Sequence, residues 1–159
     1  MKKIQNPYRK MEGYQCFGCA PQNTNGLQMN FMEEGDYVLS EWEPKSYFQG
    51  YYQVLHGGIQ ATLMDEIASW LVQLKLKTAG VTSQMTVRYK KTVPVNQGNI
   101  KLRAKLTGKR HNLADIHVEL FCPDGELGAE ADFVYFTFPE KVAIEKLHYP
   151  GHEAFYETS

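Results

Sequence analysis

The chain has 159 residues, of which 43% are hydrophobic and 22% charged, the proportions of an ordinary globular protein with room for one substantial core. Lys plus Arg total 17 and Asp plus Glu total 18, a formal net charge of -1, so nothing in the charge points to nucleic acid or an anionic membrane as partner. The opening MKKIQNPYRK holds no apolar signal core and three cysteines are an odd number, so a soluble chain in a reducing cytoplasm, without a disulfide framework, is expected.

Residues 1–26 read as an irregular segment rich in turn formers, closing at Asn25-Gly26. From Leu27 the pattern alternates: Leu27, Met29 and Phe31 against Gln28, Asn30 and Met32, which predicts a strand. Glu34-Gly35-Asp36 marks a turn and Tyr37 to Trp42 a second strand. Residues 44–55, with a Pro, a Gly and four aromatics, read as a loop that packs against a pocket.

His56 to about Lys77 is the one long helical signal, ended by Ala79-Gly80. At about 100° per residue, Ile59, Leu63, Ile67, Trp70 and Leu74 share an apolar side. Thr62, Glu66, Ser69, Gln73 and Lys77 form a thin polar arc. A helix this apolar is buried on most sides.

Four strands follow, at Val81 to Val93, Ile100 to Lys109, Ala114 to Cys122 and Leu127 to Phe138, separated by Pro94, Asn96-Gln97-Gly98 and Pro123-Asp124-Gly125. In the second of them Ile100, Leu102, Ala104 and Leu106 face inward against Lys101, Arg103, Lys105 and Thr107. Short connections between consecutive strands make an antiparallel sheet. The expected architecture is α+β, a six-stranded antiparallel sheet wrapped around one long central helix, with residues 27–139 as the domain and 140–159 as a tail of unassigned structure. A sheet with open edges also implies a homo-oligomer.

The chemistry concentrates in Leu55-His56-Gly57-Gly58 and the helix it opens. Two glycines at a helix start leave backbone N–H groups bare at the positive end of the helix dipole, a place suited to an oxyanion. The bland alternative is a tight turn with His56 as a cap. Asp65 projects between Ala61, Val72 and Leu76, where a carboxylate is costly without a role or a partner, while Glu66 lies in the polar arc and is expected to be a solvated surface acid.

His-Gly-Gly, six intervening residues, then Asp resembles the signature of hot-dog-fold thioesterases of the phenylacetate-pathway (PaaI-like) type. Val81 to Tyr89 with Pro94, and the opening Cys16-Phe17-Gly18-Cys19 with Asn25-Gly26-Leu27, are similar to that family as well. The resemblance implies hydrolysis of an acyl-CoA or aryl-CoA thioester at a site shared between two subunits. Gly57 N–H would hold the thioester oxygen, and Asp65 of a neighbouring copy would act as nucleophile or general base. His56 would shape the turn and Thr82 would help place the water. No cofactor is implied, since CoA belongs to the substrate. Many relatives carry Asn or Gln where this chain has Gly50.

Gly58, Gly50 and Tyr51 are further candidates for substrate contact, and Arg88 and Lys90 for the CoA phosphates. Cys16-x-x-Cys19 lacks a second pair at metal spacing, so no metal is expected there, and the segment reads as a loop supporting the substrate entrance. The alternatives are a hot-dog dehydratase or hydratase, distinguished by hydration of an enoyl thioester without thiol release, and a non-catalytic acyl-CoA-binding protein.

Overall fold

The computed structural model describes residues 1–156. Its strands are β1 (Lys2–Ile4), β2 (Phe31–Glu34), β3 (Tyr37–Trp42), β4 (Gly80–Tyr89), β5 (Ile100–Arg110), β6 (Leu113–Phe121) and β7 (Leu127–Thr137), with helices α1 (Gly57–Lys75) and α2 (Glu140–Leu147). The strands form one antiparallel sheet in the order β1-β2-β3-β5-β6-β7-β4, which wraps around α1. This is the α+β hot-dog architecture, with seven strands rather than the expected six.

Strict alternation builds the inner face. Ile100, Leu102 and Ala104 of β5, Ala114, Ile116, Val118 and Leu120 of β6, and Ala129, Ala131, Phe133 and Tyr135 of β7 are all buried. Alanines at 104, 129 and 131 are fully buried, and their small side chains let α1 lie close to the sheet. From α1 itself Leu63, Met64, Ile67, Ala68, Leu71 and Val72 are fully buried. Burying a side chain of Leu size contributes about 1.5–3 kcal/mol, so this layer is the main source of cohesion.

The ends of the chain depart most from the sequence expectation. Residues 27–30 are not strand: Leu27 N–H donates to the Phe17 carbonyl (2.7 Å) and Met29 N–H to the Gly18 carbonyl (3.0 Å), so that backbone is consumed by the N-terminal loop. Lys2–Ile4, expected to be irregular, pairs with Phe31, Met32 and Glu33 as the added strand. The tail supplies α2 and a 3₁₀ turn at His152–Phe155, and it returns to the core through Tyr149 and Phe155. Phe155 meets the Trp70 ring edge-on at 5.3 Å, while Phe31 stacks on the same indole at 4.4 Å.

Helix α1 stops at Lys75, with Leu76 as its cap, and the left-handed residue beyond it is Lys77 (φ 56°), so Gly80 instead opens β4. The strand at Val81 ends at Tyr89 rather than Val93, because Lys90 and Lys91 N–H both turn to the Gly128 carbonyl. Among the described residues no helix is long and apolar enough to cross a membrane.

Candidate active site

Helix α1 begins at Gly57 for a local reason. His56 is extended (ψ 134°), and its Nδ1 accepts from Gly58 N–H at 2.9 Å, a side-chain cap on the second helical amide. Gly58 N–H is therefore occupied. Gly57 N–H has no acceptor among the described residues and sits at the positive end of the helix. Tyr89 of β4 donates its hydroxyl to the Gly57 carbonyl at 2.7 Å, tying the helix mouth to the edge strand. Sequence reasoning missed Tyr89, which reads as an ordinary alternating residue.

A cleft of about 630 Å³ opens beside this mouth, lined in part by Gly50, Tyr51, His56, Gly57, Tyr89 and Lys90. Five of the expected residues thus share one surface. Of the aromatic loop only Phe48 is buried, while Tyr51, 88% exposed, stands at the cleft as a loop beside a pocket would. Gly50 lies against the imidazole, and a Cβ there would stand 3.3 Å from His56 Cδ2. A side chain at position 50, where many relatives carry an amide, would therefore need the imidazole to shift by a few tenths of an ångström.

Asp65 sits two turns along α1, facing β4 and β7. Thr82 Oγ1 donates to its Oδ1 at 2.7 Å, and Tyr135 Oη donates to the same oxygen at 2.5 Å. Oδ2 has no partner among the described residues. A bulge between Thr82 and Gln84 breaks the β4–β7 register beside this contact, the kind of irregularity that re-aims a side chain. Burial and the neighbouring Asp65 charge push the Tyr135 hydroxyl far up, so it stays a proton donor. Tyr135 is the second residue missed from sequence. It lies on the inward face of β7 and reads there as core.

The middle of the polar arc of α1 is covered by protein, while Lys77 beyond the helix end stays exposed. Tyr8 Oη donates to Gln73 Oε1 at 2.5 Å, and Cys16 Sγ and Trp70 Nε1 donate to Glu66 Oε1 at 3.4 and 3.3 Å. Glu66 is half-buried and ringed by protein, which corrects its reading as a solvated acid: the N-terminal segment folds back over that side of the helix. Burial, then the Cys16 charge, raises its carboxyl to about 7. Arg88 is engaged by Asp132 at 2.8 Å and Glu130 at 3.2 Å, while Lys90 stands 3.9 Å from Glu130 at the rim of the cleft.

The comparisons with known proteins match this geometry to a family. The thioesterase superfamily model matches residues 52–129, from the loop before α1 into β7. That match covers just under half of the chain and makes it similar to the thioesterase superfamily there. No curated protein matches the sequence. Among solved structures, a hypothetical thioesterase from Streptococcus pneumoniae TIGR4, solved with coenzyme A, is 22% identical with TM-score 0.64 over 70% of this chain and 87% of its own. A Streptococcus mutans UA159 protein, smu.793, solved with acetyl CoA, is 20% identical with TM-score 0.66 over 82% and 98%. A third, a thioesterase superfamily protein, is 20% identical with TM-score 0.67 over 74% of this chain, which spans only 57% of that relative's length. These likenesses carry the hot-dog fold.

Proposed function

We propose that the chain is a PaaI-like thioesterase that hydrolyses acyl-CoA or aryl-CoA thioesters in a homo-oligomer. The reading rests on one observation: Asp65 is held by two hydroxyls on Oδ1 with Oδ2 open, on the same helix whose first amide is unpaired. Eight residues at 1.5 Å per residue separate Gly57 from Asp65 by about 12 Å. They cannot meet on one carbonyl within a protomer. A second copy can bring its Asp65 to this Gly57, and β4 offers the docking edge: it ends the sheet, and Val81, Met85 and Tyr89 are all exposed.

In that assembly the thioester carbonyl accepts from Gly57 N–H, which stabilises the developing oxyanion by about 3 kcal/mol. Oδ2 of the partner copy's aspartate attacks the carbonyl carbon or takes a proton from the attacking water. The carbon–sulfur bond breaks, CoA leaves as thiolate, and one water is consumed for each acid released. Lys90 attracts the CoA phosphates from the rim, whereas Arg88 is already neutralised by two acids.

CoA and acetyl CoA in two structural relatives support the ligand class. In two further structures of the pneumococcal protein an aspartate and a threonine are each replaced by alanine, the residue types paired here as Asp65 and Thr82. The three cysteines are unpaired, which fits a reducing cytoplasm.

The test is thiol release from a panel of acyl- and aryl-CoAs of graded length. Turnover of at least one member is expected, and no thiol release from any of them would sink the reading. Hydration of an enoyl-CoA without thiol release would point to the hydratase instead. Rapid-quench single turnover separates the two roles of Asp65: a nucleophile passes through an acyl anhydride on Asp65 that can be trapped, and a general base forms no bond to the acyl group.

A further inference from the structure

About 100° around α1 from Asp65, three potential ligand atoms converge that the thioesterase reading does not use. The sulfurs of Cys16 and Cys19 and a carboxylate oxygen of Glu66 all lie within 4.8 Å of one another. The turn that brings the thiols together is closed by Ala20 N–H on the Cys16 carbonyl at 3.0 Å. Gly18 is required here, because a Cβ would stand 2.5 Å from Glu66 Cδ: the carboxylate sits inside the turn. Among the described residues no Lys, Arg or His pairs with Glu66. Tyr14 Oη lies 3.0 Å from Cys19 Sγ and Trp70 Nε1 donates to Glu66, so the cluster has its own outer ring of donors.

We infer that Cys16, Cys19 and Glu66 form a binding site for a thiophilic divalent cation, Zn²⁺. Two soft sulfurs and one carboxylate suit zinc rather than calcium or magnesium, which take oxygen ligands alone. Atoms around a tetrahedral zinc stand roughly 3.5–3.8 Å apart, so the observed cluster needs only a slight contraction. Three protein ligands leave the fourth position to water. Cys19 is buried, while Cys16 and Glu66 are half-buried, which leaves a side from which an ion can arrive. Binding displaces the thiol protons and pins the N-terminal loop onto α1, one residue along from Asp65.

The full chain, reduced and stripped with a chelator, is titrated with Co²⁺ as optical probe and then with Zn²⁺ in competition. Sulfur-to-cobalt charge-transfer bands saturating at one ion per chain, and bleached by Zn²⁺, are expected. Cys16→Ser and Cys19→Ser abolish them, Cys122→Ser retains them, and Glu66→Gln, nearly isosteric and read alongside circular dichroism for its fold, weakens Co²⁺ binding at least about tenfold. Absence of charge transfer in the reduced, folded parent overturns the site. Parent-like affinity in Glu66→Gln overturns the ligand set. A Cys16–Cys19 disulfide in the isolated protein, with no ion uptake after reduction, also overturns it and leaves a redox pair.

Discussion

Asp65 and Glu66 are adjacent acids on one helix, yet they meet different surroundings. Asp65 faces the edge of the sheet, where Thr82 and Tyr135 hold one of its oxygens and leave the other open. Glu66 faces the N-terminal loop, where two thiols and an indole close over it. The first has protein on one oxygen and room on the other, as a reacting group needs. The second is enclosed by potential ligands, as a structural centre needs. A turn of about 100° between neighbouring residues is enough to separate these fates.

Substitutions can break this comparison, the most damaging first. Asp65→Asn should lower kcat by about 10³-fold or more, with the oligomer intact by size-exclusion chromatography, since it removes the negative charge but keeps the shape. Parent-like thiol release would discard Asp65. Gly57→Pro should follow, at about 10²-fold: proline suits the first helical position, His56 already has the extended backbone it needs, a Cβ meets Tyr89 at 3.4 Å, an ordinary contact, and the amide is lost. Co-assembling these two variants should restore about a quarter of parent activity, because half of randomly formed pairs are hybrids with one intact site. A mixture as inactive as its components would place each site within a single chain.

Tyr135→Phe is expected to cost about tenfold in kcat, equivalent to roughly 1.4 kcal/mol, with the ring still packed against Phe133. Thr82→Val should cost less. The double variant should fall short of the product of the two, because both hydroxyls serve one oxygen, and strict additivity in a double-mutant cycle would contradict that shared role. Glu66→Gln should have the smallest effect on turnover, under about threefold, measured by the same thiol assay. A loss rivalling that of Asp65→Asn would reverse the assignment of the two acids.

The sheet and the helix were legible in the sequence because they are written in local periodicity. Residues 100–138 alternate, and 57–75 repeat at the helical period. His56, Gly57, Gly58 and Asp65 stood out for the same reason: each is an unusual residue type for its local position. What was illegible depends on partners far along the chain. The strand Lys2–Ile4 exists because residues 31–33 pair with it, and Leu27 to Asn30 stay outside the sheet because Phe17 and Gly18 claim their amides. Tyr135 looks like core until Asp65, 70 residues earlier, is brought to its hydroxyl. Glu66 looks like surface until Cys16, 50 residues earlier, lands on it. The polar arc was read correctly as polar, but its cover came from elsewhere.

The Gly57 amide and the Asp65 carboxylate are borne on the same rigid rod, and this has a consequence for what the protein tolerates. Adding a single residue anywhere between them would swing the acid by about 100° and advance it by about 1.5 Å, away from Thr82 and Tyr135. Loops elsewhere in the chain can lengthen or shorten with little effect on this spacing. The number of residues from 58 to 64 is therefore a length that has no slack.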